Sequence, residues 1–213
     1  MPRIAEHVVL SKVLDDADPK MVKDSFDGLN ALNSLDLVLY LTAGEVFRVQ
    51  SAPRKYTHFL HSRYRARDDL SNYLVHPDHV ALGKQYGAAT IEYVMALDWV
   101  VDDLPGAAAP PPGAPVRATF LKLKEGLGEE AKKEVLAIIG GIEKSELGSP
   151  EQISFGENFS IRCNGFSIGI LAVYPDLKSL DSVDTVKLIE EKVGEKLEQV
   201  VAFDYIAPEP YSA

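Results

Sequence analysis

Within Ser71 to Gly83, SNYLVHPDHVALG, Tyr73, His76 and His79 fall within seven residues, and Pro77 separates the two histidines. An imidazole has an unperturbed pKa near 6.5. At neutral pH a mostly neutral His79 can therefore take a proton from a carbon flanked by carbonyls. Tyr73 supplies a hydroxyl that can donate to the enolate oxygen formed as the proton leaves. The same residues also suit a structural junction: Pro77 fits the first turn of a helix, Asp78 favours its positive end, and His76 stands where a cap belongs. Tyr73 would then be a core aromatic. Structural zinc through His76 and His79 would need a cysteine or carboxylate framework that the neighbourhood lacks, so no metal is expected. Neither a phosphate loop nor a nucleotide fingerprint occurs, and no organic cofactor is expected.

These residues must be positioned by a chain of 213 residues, 46% hydrophobic and 25% charged, which is long enough for one large domain or two of about 100 residues with a real core. Its net charge of -10 argues against nucleic acid and anionic lipid as partners. The one basic cluster, RYRARDDL, with Arg63, Arg65 and Arg67, reads as a solvated strand face. No apolar run approaches the ~20 residues of a membrane helix. The opening MPRIAEHVVL goes straight into a strand-like pattern without a signal segment. Cys163 is the sole cysteine and has no histidine beside it in sequence, so a thiol catalyst does not stand out and a reducing, cytoplasmic location is expected.

The run from Asp102 to Val116, DDLPGAAAPPPGAPV, is a linker by composition. On either side the chain repeats itself: AGEVF (Ala43 to Phe47) returns as FGENF (Phe155 to Phe159), and VMALDWV (Val94 to Val100) as VVAFDYI (Val200 to Ile206). Each half opens with a strand-like run. An amphipathic helix follows, with Met21, Phe26, Leu29 and Leu32 on one side in the first half and Val135, Ile138, Ile139 and Ile142 in the second. Two further strands, a longer helical region and a last strand complete β-α-β-β-α-β, twice. A four-stranded sheet with both helices on one side leaves its other face needing a partner, which the second copy supplies. The expected domains are residues 1–104, a linker at 105–115, and residues 116–213, with the two sheets closing an eight-stranded barrel.

The segments HVVL on the first strand, YTHFL on a later one and L..Y..HP.HV entering a helix resemble the stress-response A/B barrel (Dabb) domain of the dimeric α+β barrel superfamily. Plant proteins carrying that domain in tandem are the best match, and the likeness covers nearly the whole chain, with its specific motifs in the first half. It implies an α+β fold of two ferredoxin-like repeats packed sheet to sheet as an intrachain pseudo-dimer, present as a monomer or as a homodimer of it. By resemblance to polyketide cyclases of the family, the general base falls on His79, its tyrosine partner on Tyr73, and two supporting pocket histidines on His7 and His58. Non-enzymatic members carry the same residues.

All five histidines lie in the first half, and aligning Tyr56 with Phe166 puts Ile168 opposite His58. The second half therefore reads as a structural mate, with ligand chemistry confined to the first. His61 reads as an exposed or rim residue of its strand, and the pairs Asp98–Trp99 and Asp204–Tyr205 as a repeated packing feature. The expected function is an A/B barrel protein binding a small apolar or poly-carbonyl molecule in the first half. One alternative is a cofactor-independent cyclase or lyase, and a second is a structural or interaction protein with a filled barrel.

Overall fold

The computed structural model describes residues 3–208, so the outermost residues of both expected domains lie outside the described residues. The first half comprises β1 (Ile4–Val13), α1 (Pro19–Ala31), β2 (Val38–Glu45), β3 (Arg48–Ser51), β4 (His58–Tyr64), α2 (Arg67–Leu74), α3 (Pro77–Leu82), α4 (Ala88–Thr90) and β5 (Ile91–Val101). The second comprises β6 (Pro115–Leu123), α5 (Glu129–Gly140), β7 (Gln152–Glu157), β8 (Ile168–Val173), α6 (Leu177–Asp181), α7 (Thr185–Val193) and β9 (Leu197–Ile206). Both sheets are antiparallel, in the orders β2-β4-β1-β5 and β3-β9-β6-β8-β7. The two ferredoxin-like repeats thus share one strand order, and the short β3 is an addition that crosses from the first half to the edge of the second sheet. The barrel has nine strands among the described residues, not eight, because the chain after AGEVF continues into pairing with β9.

The alternation of β1 decides which residues meet which surroundings. Val8 and Leu10 face the other sheet, while His7, Val9 and Ser11 face the helices. Between the sheets, Phe59, Leu97 and Trp99 meet Phe120, Phe203 and Tyr205, and the rings of Phe59 and Tyr205 stack at 4.1 Å. Burying a side chain such as Phe120 contributes about 1.5–3 kcal/mol. Trp99 fits only because Gly169 lies beneath it, where a Cβ would come within 2.4 Å of the indole.

The repeat is visible in the hydrogen bonds that join the sheets. Phe47 N donates to Asp204 O at 2.9 Å, and Phe159 N, at the matching place in the second copy, donates to Asp98 O at 2.8 Å. Beyond Phe159 the chain runs along β5 without forming a strand, and Ala96 N donates to Arg162 O at 3.0 Å.

Two expectations for β4 fail together. His61 and Arg63 are fully buried, because the face of β4 away from the helices is covered by the second sheet and not by water. Glu6 sits between them: His61 Nε2 donates to Glu6 Oε2 at 2.7 Å, Arg63 Nε donates to Glu6 Oε1 at 3.0 Å, and Ser154 Oγ from the second half donates to Glu6 Oε1 at 2.7 Å. Tyr205 OH completes the set by donating to His61 Nδ1 at 2.5 Å. Burial alone would raise the Glu6 carboxyl, but the Arg63 charge and hydrogen bonds from His61 and Arg63 hold it at about 2. Burial pushes His61 below its ordinary value and keeps it neutral, against the pull of Glu6. Arg65 and Arg67, in contrast, are exposed. Arg63 also donates to Ala108 O and Gln152 Oε1, both at 2.7 Å, so the segment between the halves is pinned to the barrel end.

Candidate functional site

The helix break in SNYLVHPDHVALG is real. α2 ends at Leu74, and α3 restarts with Pro77 in its first turn and His76 as its cap, the His76 Nδ1 accepting from Asp78 N at 3.3 Å. The break turns the chain back on itself, so that His79 Nδ1 donates to Leu74 O at 3.2 Å and the His79 and Tyr73 rings lie 4.7 Å apart. His7, on β1, brings its ring to 6.4 Å from Tyr73. Three of the four residues singled out from sequence therefore converge.

The fourth does not join them directly. His58 lies on the helix-facing side of β4 and stacks on Phe26 at 4.4 Å; Phe26 lines the cavity described below, and His58 is not part of that wall. Tyr73 is fully buried behind His7 and His79, and its hydroxyl makes no hydrogen bond of ordinary geometry among the described residues, with the Tyr64 hydroxyl as a nearby polar neighbour. Burial raises the Tyr73 phenol well above its ordinary value.

The cavity, of about 460 Å3, lies between the first sheet and its helices, on the opposite side of the sheet from the filled barrel interior. Val9, Phe26, Leu29, Leu60, Leu70 and Leu74 supply apolar wall, and His7, Asp98 and His79 supply polar wall. Phe159 to Arg162 of the second half complete one side, with the Arg67 guanidinium 4.2 Å above the Phe159 ring. Sequence reasoning missed both the rim segment and Asp98. The repeat of Asp98 at Asp204 drew a packing explanation, and the partner that gives Asp98 its place, His7, is 91 residues away.

His7 Nδ1 donates to Asp98 Oδ1 at 2.5 Å, which orients the ring; in the neutral imidazole this leaves Nε2 with a lone pair. His79, donating through Nδ1 to Leu74 O, is left with the same free nitrogen. Burial pushes His79 below its ordinary value; the Leu74 bond opposes this, and the charges of His7, Arg162 and His76 add to it. Burial also lowers His58. Two oriented imidazoles beside a largely apolar cavity can, in their neutral forms, accept protons or hydrogen bonds from a carbon acid or its enol. Among the described residues no group of three or more histidine, cysteine or carboxylate side chains is placed to hold a metal. No helix among them is long and apolar enough to cross a membrane.

Two ferredoxin-like repeats closed into one barrel, with a histidine-bearing cavity under the helices of one repeat, define a tandem A/B barrel protein. Residues 5–101 match the Stress responsive A/B Barrel Domain model, Dabb. The chain is 39% identical over 211 residues to a stress-response A/B barrel domain-containing protein of Arabidopsis thaliana, covering 97% of this chain and 80% of that protein. It is 38% identical over 212 residues to a second stress-response A/B barrel domain-containing protein of the same plant, covering 98% of this chain and 99% of that protein. The chain belongs to the stress-response A/B barrel family. Among solved structures, a Fusobacterium nucleatum protein with a provisional monooxygenase name superposes over 97% of this chain and 93% of its own with a TM-score of 0.63, and at 16% identity it shares the fold.

Proposed function

We propose that this A/B barrel protein binds a small apolar or poly-carbonyl molecule in the cavity of its first half. The observation that carries the reading is a pair of oriented imidazoles, His7 and His79, on the wall of a largely apolar space of about 460 Å3. A binding protein needs no more than this. The filled interior between the sheets suits the barrel's structural role, and the separate space under the helices argues against a purely structural molecule.

A second reading, a cofactor-independent cyclase or lyase, is favoured by the free Nε2 of His79. In that reading His79 removes the proton from a carbon between two carbonyls. Tyr73, whose buried hydroxyl makes no hydrogen bond of ordinary geometry, donates to an enolate oxygen that enters between His7 and His79, and His58 supports the wall through Phe26. The experiment is titration with benzoylacetone, a stable 1,3-diketone, followed by incubation with a 3,5,7-triketo acyl thioester while phenolic product absorbance is recorded. Saturable binding that His79→Ala weakens supports the first reading. Cyclisation that His79→Ala slows by about 100- to 10,000-fold supports the second. Absence of both refutes the site.

A further inference from the structure

The second half has a cavity of its own, about 210 Å3, between the second sheet and helices α5 and α7. It lies where the histidine cavity lies in the first half. By strand register, Arg117, Ile170 and Ala172 hold the positions of His7, Leu60 and Ser62. Ile139, Ile142, Phe155 and Ile189 add apolar wall.

Its polar groups are almost all committed. Arg117 donates to Asp204 from Nε at 2.8 Å and from its terminal nitrogen at 3.2 Å, and it donates to Thr185 Oγ1 at 2.9 Å. Lys144 Nζ donates to Glu151 O at 3.1 Å. Tyr174 is the exception: it lines the cavity, its ring is fully buried, and its hydroxyl makes no hydrogen bond of ordinary geometry among the described residues, the nearby Thr185 hydroxyl being already engaged by Arg117. The cause is a single exchange between the repeats. Tyr64 and Tyr174 each stand two residues past the equivalent positions Ser62 and Ala172; Tyr64 shares a hydrogen bond with Ser62 Oγ at 2.9 Å, and alanine offers Tyr174 nothing in return.

We infer that this second cavity is a separate binding site for a neutral, apolar small molecule carrying one hydrogen-bond acceptor, which takes the Tyr174 hydroxyl. A cavity of about 150 Å3 lined by apolar residues holds benzene, so the larger space admits one substituted ring or a short branched chain. Within the cavity Asp204 already neutralises Arg117, and the Lys144 ammonium is on an exposed residue bonded to the Glu151 carbonyl, so the buried wall offers an anion no free charge. With no histidine in this half, the site binds without proton chemistry.

The two cavities can be read separately in one experiment, because Ile139, Ile142, Ile170 and Ile189 line the second and Ile91 and Ile161 the first. The protein, labelled at isoleucine δ1 methyls, is titrated to several millimolar with acetophenone and with α-methylstyrene, its isostere lacking the acceptor. Acetophenone should shift the second set saturably and bind more tightly than α-methylstyrene. Tyr174→Phe should weaken acetophenone by about 3- to 10-fold and leave α-methylstyrene unchanged. Ala172→Ser, which recreates the pair seen at Ser62 and Tyr64, should weaken acetophenone while preserving the fold. Shifts confined to Ile91 and Ile161, no saturable shift at all, or a Tyr174→Phe variant that binds acetophenone as before would each overturn the assignment. Because the first-half reading is followed on different methyls, either proposal can fail without the other.

Discussion

At one place in the strand frame the two halves keep a carboxylate and change what faces it. Asp98 receives His7 at 2.5 Å, and Asp204 receives Arg117 and Arg48, each at 2.8 Å. A histidine held by a carboxylate still has a second nitrogen with a lone pair, whereas an arginine has donors only and no lone pair. The helix break recurs as well: α6 and α7 are separated as α2 and α3 are, but Asp184 caps the second helix through Lys187 N at 3.0 Å where His76 caps the first. The duplication has thus conserved geometry and divided chemistry, leaving one half with two free imidazole nitrogens and the other with a locked ion pair.

The largest expected effect comes from breaking that carboxylate's partner in each half. Arg117→Met leaves the fully buried Asp204 with only the half-exposed Arg48 and Gln50, and should cost about 3 kcal/mol or more of stability. His7→Met leaves Asp98 beside a cavity that water can enter, so its loss should be about 1 kcal/mol. Urea unfolding of the two variants checks the ranking, and equal losses would mean that the two carboxylates are equally dependent on their partners.

Much of this arrangement was legible in the sequence because its signals are local. The repeats AGEVF/FGENF and VMALDWV/VVAFDYI announced the duplication, and Pro77 with His76 announced the helix break. The parts that were not legible depend on distant chain. His61 and Arg63 read as water-facing because nothing near them says that Ser154 and Tyr205 will cover that face. His58 was read as a pocket residue, yet the side chain of Phe26 takes the wall in front of it, a packing outcome no spacing encodes. The extra strand β3 was hidden for the same reason, since its pairing partner β9 lies in the other half.

The pH response should divide along the same line. His58, His61 and His79 all have values lowered by burial, so the unfolded chain takes up their protons first, near 6.5. Stability should therefore fall as pH drops through that value, and the added loss should end below the folded values. A second loss should follow as pH falls from 4.5 towards about 2, where Glu6 gives up the stabilisation of its ionised form. Hydrogen exchange at pH 7 and 5.5 should show β1 and β4 losing protection before the helix-facing layer of the second half. Equal loss in α5 and α7 would show that the barrel opens only as a unit.

The smallest effect is the sharpest comparison, because Tyr64 and Tyr174 are the same position in the two copies. Tyr64→Phe removes a hydroxyl bonded to Ser62 and strands the buried serine, so it should destabilise by about 1 kcal/mol. Tyr174→Phe removes a hydroxyl that has lost its water without gaining a hydrogen bond of ordinary geometry, so stability should stay level or rise by a few tenths of a kcal/mol. The contrast depends on the free protein, since a ligand in the second cavity that accepts from Tyr174 would make the two tyrosines alike. Measuring both variants by urea unfolding, with and without acetophenone, therefore tests more than the hydrogen-bond count. A Tyr174→Phe change that is neutral alone and costly with acetophenone present would mark the hydroxyl as held for a ligand. A change that is equally costly in both conditions would mean that Tyr174 has a partner within the fold.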